Sequence, residues 1–178
     1  MTRFLWLPVC TCALAAVAPG ARAVDSADAN AAAQIVGLFM QSCVRFAGDA
    51  TALRDWAVHA GGMRPLPAAG QQAFLYGLPG EVFDASTTAG KLVLISESAG
   101  ACSTMAESAS GSEVVKTLEQ VMQQAHIAFT MTHEDDDKTE KVLHHREYTA
   151  SQGPRHWEML VSTVKGAAPG EVMLTTSP

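Results

Sequence analysis

The sequence predicts an α+β fold: an antiparallel sheet of about six strands with helices packed on one face, in the order α-α-β-β-α-β-β-β-β. Three observations carry that prediction. The stretch "AAAQIVGLFMQSCVRFAGD" repeats apolar residues at helical spacing. "KLVLISES" sets four apolar residues in a row between polar ones, the pattern of a buried strand. From residue 127 onward the pattern alternates with period two, interrupted by short polar spacers that carry Gly or Pro.

The elements follow in order. Residues 24–33, "VDSADANAAA", are small and polar and read as a loose lead into the first helix. That helix places Ile35, Leu38, Phe39, Cys43 and Phe46 on one face and should stop near Gly48, where glycine supplies a left-handed cap. "DATALRDWAVHAGG" reads as a second helix, capped by Asp49 or Thr51 and stopped by Gly61-Gly62. "MRPLPAAGQQ" reads as an internal loop. "AFLYG" and "EVFDAS" read as a hairpin around Pro79-Gly80, and "KLVLISES" as the central strand. Ser110 with Glu113 three residues on forms a capping box. Behind it, Val114, Leu118, Val121, Met122 and Ala125 make a single apolar stripe. "IAFTMTH", "KVLHHREYTA", "HWEMLVSTV" and "GEVMLTT" complete a meander. The order β-β-α-β-β-β resembles a profilin-like or PAS-like arrangement, which implies a fold and no function.

The N-terminus bounds the compartment. "MTRFLWLPVCTCALAAVAPGARA" joins Arg3, an apolar run from Phe4 to Ala18, and an Ala21-Arg22-Ala23 cleavage site. Residues 1–23 therefore read as a signal peptide, 24–33 as a flexible lead and 34–178 as one domain. The apolar run is short for a membrane anchor. Cys10 and Cys12 would allow a lipoprotein, but Val9 and Thr11 stand where a small residue is expected. The whole chain has 12 basic and 18 acidic residues; without Arg3 and Arg22 the mature chain carries a net −8. That balance argues against nucleic acid and against an anionic membrane surface. No later segment is long enough for stable membrane insertion. The expected address is the periplasm or the medium.

Export leaves Cys43 and Cys102 as the only two cysteines of the mature chain, and in an oxidising compartment they read as one disulfide. The alternative is a nucleophilic Cys102 in "SAGACSTMAES", but "GACST" lacks the second glycine of a nucleophile elbow. "HEDDDKTE" packs five carboxylates and His133 into eight residues. It lacks the spacing and glycine of an EF-hand loop, so it reads as a hairpin tip. Glu134, Asp135, Asp136 and Asp137 are then candidates to steer a basic cleft on a partner protein. Five of the six histidines lie between residues 126 and 156. No H-x-x-x-H spacing occurs, and adjacent His144 and His145 must point to opposite sheet faces. The candidate metal set is His133, His145 and His156; the alternative is histidines exposed on the sheet. Nothing in the sequence implies a cofactor. Trp56, Trp157, Tyr76 and Tyr148 could line a groove or fill a core.

The helical "FMQSCVRF", the "DW" helix, "GLPGEVFDA", and "LVLISESAGAC" ahead of a capped helix resemble a group of small exported proteobacterial proteins and lipoproteins. The resemblance covers roughly residues 35–125, includes both cysteines, and implies no catalytic residue. The expected function is an exported, disulfide-stapled protein-interaction module of inhibitor or accessory type. Two alternatives stand beside it: a hydrolase or metal-dependent enzyme built on the His-rich sheet, and a small-ligand sensor.

Overall fold

A computed structural model describes residues 20–178 except 89, 141 and 167, with side chains described from residue 26 onward. Of the signal-peptide reading of residues 1–23, residues 1–19 lie outside the described residues, and Gly20 to Ala23 fall in the first helix. Helix α1 (Gly20–Phe39) runs through residues 24–33, so the expected loose lead is helical, and Ala32 is fully buried. Ala32, Ile35, Val36 and Phe39 recur at three- and four-residue spacing, and all are buried. The chain continues as a π-helical turn (Met40–Val44) that buries Ser42, Cys43 and Val44. Arg155 closes its end by donating to the Arg45 and Val44 carbonyls at 3.0 and 3.1 Å, satisfying acceptors that a helix terminus leaves open. Gly48 then turns the chain at φ +81°. Helix α2 (Ala50–His59) starts as the sequence predicts, with the Asp49 carboxylate accepting from the Ala52 N–H at 3.0 Å.

The segment expected to be a loop and a first strand folds differently. Arg64–Pro65 forms a short β1, and Ala68–Leu75 forms helix α3, which absorbs most of "AFLYG". The Gln71 side chain anchors α3, donating to the Leu66 carbonyl at 3.1 Å and accepting from the Val82 N–H at 2.8 Å. Strands β2 (Gly80–Asp84) and β3 (Leu92–Glu97) follow, then β4 (Cys102–Ala109), an element the sequence reading missed. Helix α4 (Gly111–Gln124) is capped by Ser110, whose hydroxyl accepts from the Glu113 N–H, and it buries Val114, Leu118 and Met122. Strands β5 (Ala128–Asp136), β6 (Leu143–Gln152), β7 (Arg155–Val164) and β8 (Gly170–Ser177) are the four the alternation predicts.

The sheet has eight strands rather than six, all antiparallel, in the order β1-β2-β3-β4-β8-β7-β6-β5. Four strands precede α4, of which β2, β3 and β4 form an unbroken meander, and four follow it, so the expected β-β-α-β-β-β order is not the one observed. The molecule is two helix-plus-meander units joined where β4 pairs with β8. Helices α1 and α4 pack side by side over Phe83, Leu94, Ala106, Val161 and Leu174. Each large apolar side chain fully buried there contributes roughly 1.5–3 kcal/mol. The expectation of helices on one face fails for α3. Its Leu75 and Phe74 pack with Val82 and Ile95, which alternate with Phe83 and Leu94 and so face the other way. Among the described residues no helix is long and apolar enough to cross a membrane.

Candidate functional site

Strand periodicity decides what the second meander displays. On β6, His144, Arg146 and Tyr148 point toward the helices, while His145, Glu147 and Thr149 point away. Tyr148 lies beneath α4, buried, donating its hydroxyl to Glu119 Oε1 at 2.9 Å. Burial and then the Glu119 carboxylate push its phenol up to about 12. Nearer the β5–β6 turn the sheet runs out from under the helix, leaving a cleft of about 630 Å³. Lys116, Glu119 and Gln123 of α4 form one wall; His144, Arg146 and Lys165 form the other. Gly111 sets the narrow end, because a Cβ there would stand 2.9 Å from Thr163 Cβ.

The sheet wall is a continuous chain of ion pairs. Arg146 Nε donates to Glu134 Oε1 at 2.7 Å. His144 Nε2 meets the same oxygen at 2.9 Å, and its Nδ1 meets Asp136 Oδ1 at 3.1 Å. Lys165 Nζ closes the row on Asp136 Oδ2 at 2.8 Å. Hydrogen bonds from His144 and Arg146 hold the Glu134 carboxyl below the usual range, and Lys165 and His144 do the same for Asp136. In return, Glu134 and Asp136 raise His144 above its ordinary value.

The opposite face carries a second arrangement. His145 Nδ1 stands 2.9 Å from Ser162 Oγ, directly across the strand pair, and its Nε2 stands 3.0 Å from Asp137 Oδ2. The other Asp137 oxygen accepts the Thr139 and Glu140 N–H groups at 2.7 and 2.6 Å; these contacts, with His145, hold Asp137 at about 2. A neutral ring protonated on Nε2 would donate to Asp137 and accept from Ser162, the order of a hydrolytic triad. Yet Ser162 is only 7% exposed and lies on the sheet face turned away from the cleft. The arrangement ties the 137–140 turn to the sheet.

The residues singled out by sequence are thus placed unevenly. Cys43 and Cys102 form the expected disulfide, bridging the π-helical turn to the start of β4, both sulfurs buried, so Cys102 offers no thiol. Glu134, Asp135, Asp136 and Asp137 each hold a basic partner within the chain: Asp135 pairs with His133 at 3.2 Å, the others as above. The candidate metal set does not assemble. His156 sits opposite Ser151, six residues along β6 from His145, or about 20 Å at strand rise. Among the described residues, no group of three or more His, Cys, Asp or Glu side chains converges to hold a metal ion. Trp157 and Tyr148 belong to the core, while Tyr76 is exposed at a left-handed position. Sequence reasoning missed Arg146, Lys165, Glu119 and Ser162. The alternation in "HHREYTA" was the available signal, since it sets Arg146 and Tyr148 on the face of His144. Comparison with protein-family models, curated proteins and solved structures finds no match to this chain.

Proposed function

We propose that the chain is an exported, disulfide-stapled interaction module that receives a polar segment of a partner protein in the cleft between α4 and β6. The carrying observation is the cleft itself: about 630 Å³ of open space walled by charged side chains already fixed in place by hydrogen bonds. Pre-ordered polar walls lower the side-chain entropy lost on association. The signal-like N-terminus supports export, and a buried disulfide suits an oxidising compartment. The acidic run takes a different part from the one the sequence suggested. Glu134 and Asp136 each hold basic partners within the chain, so they brace the cleft-lining His144, Arg146 and Lys165 rather than presenting a free negative patch.

A photo-crosslinking side chain at the exposed Gln120, on the α4 wall, tests the reading in cells. The expected result is one discrete adduct from position 120 and none from Glu171, exposed on β8. No adduct at 120, or the same adducts from both positions, would sink the proposal.

A further inference from the structure

We propose that His144 makes this cleft pH-gated: its sheet wall stands while the ring is an imidazolium and loosens when the ring is neutral. The inference rests on the cleft being the recognition site and concerns how that site is regulated. Its ground is geometric. Both ring nitrogens of His144 face carboxylate oxygens, Glu134 at 2.9 Å and Asp136 at 3.1 Å. A neutral imidazole has one N–H, so its other nitrogen would direct a lone pair at a carboxylate oxygen about 3 Å away. Only the doubly protonated ring satisfies both contacts.

The position of the carboxylates makes this matter. Glu134 and Asp136 lie at the far end of β5, an edge strand with β6 on one side only, beyond a register shift between Met131 and His133. The end of an edge strand is held by fewer backbone bonds than an interior strand, so side-chain ties weigh more. The groups facing His144 are Glu134 and Asp136 from β5, Arg146 from β6 and Lys165 just after β7. Lys116 and Glu119 stand across the cleft on α4. The reverse face holds His145 against Asp137, His133 against Asp135, and Glu147. In the sheet wall the charged ring leaves three cations against two anions. The neutral ring leaves two against two, with Glu134 and Asp136 sharing no donor between them.

The direction with pH follows from the shifts. His144 is raised above 6.5, so its contribution is complete below that value and is lost as pH climbs through the raised one. Glu134 and Asp136 are lowered, so their contributions persist above the ordinary carboxylate range and fail only in stronger acid. The wall is therefore firmest in mildly acidic solution and loosens on the alkaline side. A protein outside the cytoplasm, exposed to the pH of its surroundings, could use such a change to bind and release.

Hydrogen–deuterium exchange of the segment 130–140, corrected for intrinsic rates, tests this at pH 6 and pH 8.5. In the unmodified protein protection of residues 134–136 should fall on the order of tenfold between the two. His144→Gln should be poorly protected at both pH values, and His144→Lys, a permanent cation, should stay protected at pH 8.5. Flat protection in the unmodified protein, or the same fall in His144→Gln, overturns the gating. The Gln120 cross-link, run at both pH values, separates this failure from that of the cleft reading. Equal adduct yield at both overturns the gating and leaves the cleft standing, whereas no adduct at either removes the cleft and the gate with it.

Discussion

Replacing Cys43 and Cys102 together by alanine removes a crosslink that closes 59 residues of chain. Loop-closure entropy for a ring of that size is worth about 4 kcal/mol at room temperature. Both sulfurs are buried beneath the π-helical turn, so deleting them adds on the order of 1 kcal/mol for lost packing. The sum, about 5 kcal/mol, rivals the whole stability of many domains. For a chain of this size a urea slope of about 2 kcal/mol/M turns that loss into a midpoint lower by roughly 2.5 M. Fluorescence of Trp157, buried beside the helices, and of Trp56, half-buried on α2, reports the transition. The slope should also rise, because the uncrosslinked chain unfolds to a more expanded state. The unmodified protein unfolded with and without reductant gives the same comparison without mutation. A midpoint change under about 0.5 M with an unchanged slope would refute the reasoning. It would mean that the unfolded chain is compact without the bridge.

Two side chains, Tyr148 and Ser162, probe the second meander. Tyr148→Phe takes the donor from the part-buried contact with Glu119 and should cost about 1.5 kcal/mol in urea unfolding, the low end of the range for a hydrogen bond to a charged group. In the unmodified protein the same phenol should stay un-ionised in ultraviolet titration to pH 11. Its contribution is complete below its ordinary value of 10 and is lost only as pH rises through about 12. Ser162→Ala should cost about 1 kcal/mol, as expected for a hydrogen bond that only ties a turn to the sheet. The unmodified protein should also resist a fluorophosphonate probe; covalent labelling of Ser162 would show a nucleophile instead and restore the hydrolase reading.

Where the sequence was legible, local chemistry and tertiary packing agree. Asp49 and Ser110 cap the helices they announce, the 114–118–122 stripe of α4 is buried, and the alternation holds in unbroken register across β6, β7 and β8. Strand β4 was missed because "CSTMAESA" offers little large apolar surface. The structure explains the composition: β4 is the strand over which α1 closes, and Cys102, Thr104 and Ala106 leave it room. Helix α3 was missed because Phe74, Leu75 and Tyr76 suggest a strand by propensity. Its helical state depends on Gln71 bridging to β2, a contact no local window contains. At the site, the histidines and acids were visible as oddities, but their pairing was not. Unbroken alternation from Phe129 and Met131 would put His133, Asp135 and Asp137 on the helix face. The register shift between Met131 and His133 exchanges the faces and brings Glu134 and Asp136 to His144 instead.

The two meanders also separate what holds the molecule together from what it displays. The disulfide lies wholly within the first helix-plus-meander unit, between the turn after α1 and β4. The ion-pair wall lies in the second, on β5 and β6, with β8 and β7 intervening before β4 is reached. At about 4.8 Å per strand, β6 is roughly 14 Å from β4 across the sheet. Perturbations that far apart, with no shared partner, add independently. The staple can therefore set the stability of the frame while the charge state of one histidine, three strands away along the sheet, sets the shape of the cleft.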